Sequence, residues 1–164
     1  MPCAYFAPKV MTIHSEMAAQ RTQKLAGSDP FILAGDFNIQ PKSSTYRLLT
    51  TGILAPEDEG FPTPSKYGME WKAKLRPMRS AYAVAPHGEP EFTNYAFVGT
   101  MEQPFQETLD YIFLTEHWHT VDNVKETYRK SDPVLASSYI FIFNLDEGIN
   151  HDCYIHVLVV KACY

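Results

Sequence analysis

Phe31-Ile32-Leu33-Ala34-Gly35-Asp36-Phe37-Asn38 is the stretch that decides how this chain is read. Its first four residues form a short apolar run that ends at a glycine, the pattern of a buried strand. A strand end fixes the backbone, and Gly35, with no side chain, lets that backbone come close to a neighbour. Asp36 and Asn38 stand two apart, so on an extended backbone both point to one side while Phe37 points the other way, into the core. A carboxylate and a carboxamide would then face one cleft together. The carboxylate can orient or deprotonate a water molecule, or bind a hard cation. The amide can donate to a phosphoryl oxygen as charge builds there. The plainer alternative is a turn, because Gly, Asp and Asn are common turn residues.

Working outward, Pro8 to Leu25 reads as a helix. Val10, Ile13, Met17 and Leu25 recur at helical spacing as its inner face, with Lys9, Glu16, Arg21 and Lys24 outside. Gly27 closes it as a C-cap. Downstream, Pro41 to Ser44 opens a second helix that is capped by Ser43 or Ser44, carries Tyr46, Leu48 and Leu49, and stops at Gly52. From Ala55 to Pro90 the chain is broken by Pro56, Pro62, Pro64, Pro77 and Pro86, which suggests a functional insertion or a partly disordered stretch. Phe92 to Phe97 and Leu109 to Thr115 read as strands, and Val121 to Val124 as a weaker one. Tyr139 to Phe143 and Ile155 to Val160 are apolar, β-branched and strand-like. Helix, strand, helix and then several strands make an α+β protein with helices packed on sheet.

The 164 residues are 45% hydrophobic, enough for one domain with its own core. A net charge of −5 argues against binding to nucleic acid by phosphate neutralisation alone. It leaves room for a cleft that is locally positive or loaded with metal. The three cysteines, Cys3, Cys153 and Cys163, have no zinc-knuckle or redox spacing and read as reduced thiols. No stretch is apolar enough to cross a membrane, and Met1 to Lys9 lacks the layout of a signal peptide. The expected location is cytoplasmic or nuclear.

A second motif lies far downstream. Asp110 sits inside the Leu109 to Leu114 run, where aspartate is uncommon and, if buried, needs a partner. An exposed edge position would explain it equally well. Together, Ala34-Gly35-Asp36-Phe37-Asn38 after a strand and Leu109-Asp110-Tyr111-Ile112-Phe113 resemble the endonuclease/exonuclease/phosphatase superfamily. Phe92-Thr93-Asn94-Tyr95, Phe105, and Pro41, Ser44 and Tyr46-Arg47-Leu48-Leu49 after the first motif look like its deadenylase, nocturnin and Angel branch. The resemblance implies a partial two-layer β-sandwich flanked by helices. Residues 1–127 would form the C-terminal part of the domain, and residues 128–164 a divergent tail.

It also implies chemistry. Asp36 would orient and activate the attacking water, and Asn38 would hold the scissile phosphate. Asp36 and Asn38 are also the residues expected at the metal. Asp110 would orient a catalytic histidine, Asn94 would contact nucleotide phosphate or sugar, and Phe105 would stack on a base, although Phe105 reads equally well as a core or loop aromatic. The cofactor would be Mg2+, with Mn2+ as a substitute, neutralising phosphoryl charge. The substrate would be single-stranded RNA with an adenylated 3′ end, cut as a 3′-5′ exoribonuclease cuts. A phosphatase acting on a small phosphorylated molecule could use the same groups.

Measured against the family pattern, the chain is expected to lack the N-terminal half with its metal-binding glutamate, a histidine ahead of Met1, and a terminal Ser-Asp-His motif. His151, before the last strand, is the nearest substitute histidine, although in His151-Asp152 the order is reversed. The remaining histidines, His14, His117, His119 and His156, read as structural or surface residues. Such a chain would be weak or inactive alone, or a nucleotide- or protein-binding remnant, and an incomplete sheet would favour self-association or a protein partner.

Overall fold

The computed structural model describes residues 4, 6–64, 66, 68, 70–96, 102–125, 135–136, 139–145 and 155–159. Cys3, Cys153, Cys163 and His151 lie outside the described residues. Helix α1 spans Pro8–Ala26 and starts with proline in its first turn, where a missing N–H costs nothing. Strand β1 follows at Ile32–Asp36. Helix α2 spans Ser44–Thr51 and is capped by Ser43, whose hydroxyl accepts the Tyr46 N–H at 3.2 Å. It ends at Gly52, which has φ 77°. A side chain there would also meet the Leu75 carbonyl at 2.5 Å, so both conformation and space require glycine.

The remaining elements are strands: β2 Arg79–Ser80, β3 Asn94–Ala96, β4 Phe105–Glu107, β5 Asp110–Leu114, β6 Trp118–Lys125, β7 Leu135–Ala136, β8 Tyr139–Leu145 and β9 Ile155–Val159. They form three-stranded antiparallel sheets in the orders β1-β5-β2, β4-β3-β7 and β6-β8-β9. The α+β expectation therefore holds. The stretch expected to be an insertion is in fact tied into the structure: β2 pairs with β5, and Met78, Ala81 and Tyr82 are buried.

Strand β5 is the centre of the first sheet and is buried along its whole length. Its side chains alternate between two faces. Tyr111 and Phe113 stack with centroids 5.3 Å apart on the face that takes Phe37 and Tyr46. Phe37 is buried, as its position after Asp36 predicts. Burial, followed by the hydrogen bond to Glu89, holds the Tyr46 phenol well above its ordinary value of 10.0. Burial and the nearby Glu89 charge do the same for Tyr111.

Helix α1 corrects the sequence reading. Val10, Ile13, Met17 and Leu25, expected inside, are exposed, while Glu16, expected outside, is buried together with Met11, Thr12, Ser15 and Ala19. The reason is what the helix packs against. Helix α1 lies against α2, and its Met11 and Ala19 join the hydrophobic core. Between the two helices the Thr12 and Thr45 hydroxyls meet at 3.2 Å. Glu16 accepts from Gln20 at 2.9 Å and also from the Trp71 indole. A buried carboxylate satisfied in this way is tolerated, whereas a buried one without partners is not.

Gly35 is needed for a different reason from the one expected. A side chain there would meet nothing within 4 Å, so no close approach requires glycine. Its φ is 153°, a backbone that side-chain-bearing residues rarely adopt. Gly35→Ala is therefore expected to cost roughly 1–3 kcal/mol despite the open space, and a denaturant melt of the variant against the parent checks this. The tyrosines give a second expectation. A phenol whose folded pKa is raised stabilises the fold fully below pH 10 and loses that contribution as pH climbs above it. Alkaline titration should show a late rise in tyrosinate absorbance that coincides with loss of circular dichroism, and Tyr111→Phe should reduce it.

Candidate active site

The register of β1 against β5 sets the site. Asp36 is the cross-strand partner of Asp110, the last pair of a ladder that runs from Ile32 opposite Leu114. Directly opposed residues of an antiparallel pair share a face, with Cβ atoms about 4.5–5.5 Å apart. Two carboxylates from motifs far apart in sequence thus come together, on the face opposite Tyr111 and Phe113. Like charges in such a pair repel unless donors or a cation compensate them.

Donors are present for both. Strand β1 ends at Asp36, and the chain turns sharply. Asn38 has φ 53°, and its backbone N–H donates to Asp36 Oδ1 at 2.9 Å. The shared direction of Asp36 and Asn38 expected from strand alternation is therefore replaced by a turn in which the Asp36 side chain accepts from the backbone two residues on. The plain reading of Gly-Asp-Phe-Asn as a turn describes Asp36 to Asn38, with the Asp36 carboxylate at the start of the turn. The Phe37 N–H donates to the Leu109 carbonyl at 2.9 Å, which locks this turn onto the start of β5.

Asp110 is buried and accepts the Thr93 hydroxyl at 2.8 Å. The Thr93 oxygen itself accepts the N–H groups of Leu109 and Asp110, both at 3.0 Å. With two N–H groups filling its lone pairs, the only proton of this hydroxyl is directed at Asp110. Thr93 is buried, so the arrangement is shielded from water. The exposed-edge alternative for Asp110 is excluded by its burial. The sequence pattern assigns Thr93 no role, because nothing about a lone threonine marks it.

Thr93 also connects the two sheets. It directly precedes β3, where Asn94 is buried and opposes Glu107. Phe105 opposes Ala96, so Asn94 and Phe105 belong to one face of the β3–β4 pair. Phe105 is half-buried, which suits neither a sealed core aromatic nor a fully exposed one. The structure thus brings Asp36, the backbone of Asn38, Asp110 and Thr93 together at the ends of β1 and β5, while Asn94 and Phe105 lie on the β3–β4 hairpin.

Asp36 and Asn38 offer oxygen donors, the type a hard cation prefers. Among the described residues, no group of three or more His, Cys, Asp or Glu side chains could hold a metal ion. A magnesium ion commonly takes one or two carboxylates and completes its shell with water and substrate phosphate, so this donor set fits one. No helix among the described residues is long and apolar enough to cross a membrane.

Residues 2–132 match the endonuclease/exonuclease/phosphatase family. Curated relatives include the CCR4-Not complex 3′-5′-exoribonuclease subunit Ccr4 of Phaeosphaeria nodorum, 37% identical over 92 residues, covering 54% of this chain and 14% of the relative. The same subunit of Neurospora crassa is 39% identical over 90 residues, covering 51% of this chain and 10% of the relative. The chain thus spans only 10–14% of the length of these two relatives. A solved endonuclease/exonuclease/phosphatase from Bacteroides vulgatus superposes with a TM-score of 0.52 at 18% identity, over 83% of this chain and 44% of that one. At that identity the likeness establishes the fold. With most of its length matched, the chain belongs to the endonuclease/exonuclease/phosphatase family.

Proposed function

We propose that this chain carries part of the active site of a magnesium-dependent phosphodiesterase, a 3′-5′ exoribonuclease that removes nucleotides from adenylated single-stranded RNA. The observation that supports it most is the pairing of Asp36 with Asp110 beside the Asn38 turn. The choice of RNA leans on the likeness to the Ccr4 exoribonuclease subunits.

In this reading Asp36 orients a water molecule and draws off its proton as the water oxygen bonds to phosphorus, the bond from phosphorus to the 3′ oxygen breaks, and that oxygen leaves, protonated, as the 3′ hydroxyl of the shortened RNA. Its hydrogen bond from the Asn38 N–H fixes the direction of the carboxylate. The Asn38 amide donates to a non-bridging phosphoryl oxygen, where negative charge grows. Asp110, oriented by Thr93, positions a histidine, for which His151 is the candidate. Asn94 holds the nucleotide backbone and Phe105 stacks on a base. Magnesium, when bound beside Asp36 and Asn38, supplies positive charge to the phosphoryl group and leaving oxygen. The substrate would be met in the cytoplasm or nucleus.

A gel assay on RNA with a 3′ adenylate tract tests the reading. Weak shortening from the 3′ end is expected with magnesium. It should stop with EDTA and fall about 10²–10⁴-fold in Asp36→Ala, the usual contribution of a general base. RNA bound but left uncut by the intact chain would replace this reading with that of a nucleotide-binding module. Release of inorganic phosphate from a small phosphorylated molecule in its place would point to the phosphatase reading. Thr93 provides a finer test: Thr93→Val should lower kcat more than it raises KM, and Thr93→Ser, which keeps the hydroxyl, should restore it. Equal losses in both variants would make Thr93 a packing residue only.

A further inference from the structure

The outward face of α1 is unusual in both composition and charge. Val10, Ile13 and Met17 are 40%, 36% and 62% exposed, and Leu25 is 70% exposed. Val10, Ile13 and Met17 are spaced three and then four apart, the seam spacing of helices that pack side by side. At 100° per residue these three occupy an arc of only about 60°. That is narrower than the apolar stripe of a helix that faces a core, which spans about 100° or more. Further along the same line come Arg21 and Lys24, with Lys9 at the border of the stripe, all exposed. Among the described residues none of these three cations is in a salt bridge. The one acidic residue of the helix, Glu16, is buried and bonded to Gln20 and Trp71. The face therefore carries apolar and positive groups but no negative ones, on a chain whose net charge is −5.

We infer that this face of α1 is a docking seam for an amphipathic helix of a partner protein, one whose apolar stripe is bordered by Asp and Glu. Charge complementarity selects the partner. A second copy of α1 would set Lys9, Arg21 and Lys24 against an equally cationic face, which costs free energy. The narrow arc favours a single helix over a membrane surface, which takes up a broader apolar face. None of the seam residues is among the candidate site residues, so the inference holds whether or not the chain cleaves RNA.

The test uses the full chain and two synthetic amphipathic helices with leucine at seam spacing, one bordered by glutamate and one by lysine. The glutamate-bordered helix should bind, more weakly as salt rises, and the lysine-bordered one should not. Met17→Asp, at a position open to solvent, should weaken binding by about tenfold or more, equivalent to 1.4 kcal/mol, with its circular dichroism unchanged. The double variant Arg21→Glu/Lys24→Glu should reverse the preference toward the lysine-bordered helix. Equal binding of both peptides, binding of neither, or no effect of Met17→Asp would overturn the inference. So would partition onto phosphatidylserine vesicles without peptide binding, or concentration-dependent dimers that Met17→Asp abolishes.

Discussion

The pairing of β1 with β5 in one register is the constraint on which the rest of the structure depends. With Ile32 opposite Leu114, the ladder ends with Asp36 opposite Asp110. A slip of one residue would turn every side chain of one strand to the other face. Tyr111 and Phe113 would then lose Phe37 and Tyr46, and the two carboxylates would no longer meet. The same hydrogen bonds thus pack the aromatic core on one side and build the acidic pair on the other. The buried aromatic packing holds the register, since large side chains lose several kcal/mol when displaced from a core.

A carboxylate pair of this kind needs compensation, and the backbone supplies much of it. Asp36 takes the N–H of Asn38, and Asp110 takes a hydroxyl whose own lone pairs are filled by two N–H groups. These bonds to charged acceptors are stronger than neutral ones and rigid, because their donors belong to the fold itself. Thr93 does more than satisfy Asp110. It sits directly before β3, so the side chain that orients the carboxylate also ties the start of that strand to the start of β5. Chemistry and architecture share one residue there.

Helix α1 shows a different compromise. Its buried face mixes Met11 and Ala19 with Thr12, Ser15 and Glu16, while Val10, Ile13, Met17 and Leu25 face solvent. Thr12 meets Thr45 of α2, and Glu16 is held by Gln20 of its own helix and by Trp71 from the loop beyond α2. Hydrophobicity alone would orient this helix the other way.

What the sequence determined by itself was whatever short-range physics controls. Proline at the start of α1, Ser43 and Gly52 at the ends of α2, the apolar runs that became β1, β5, β8 and β9, and the inward turn of Phe37 are all legible, because capping, backbone freedom and alternation act over a few residues. The motifs around Asp36 and Asp110 were visible as motifs. Tertiary structure alone decided that they are cross-strand partners, that Asn38 reaches Asp36 through a turn instead of along a strand, and that Thr93 directs its proton at Asp110. It also decided that Gly35 is needed for its φ, that Arg79–Ser80 joins β5 from a proline-broken stretch, and which face of α1 is buried. Each of these depends on groups brought together from distant parts of the chain, and no local pattern encodes what a residue will find opposite it once the strands have paired.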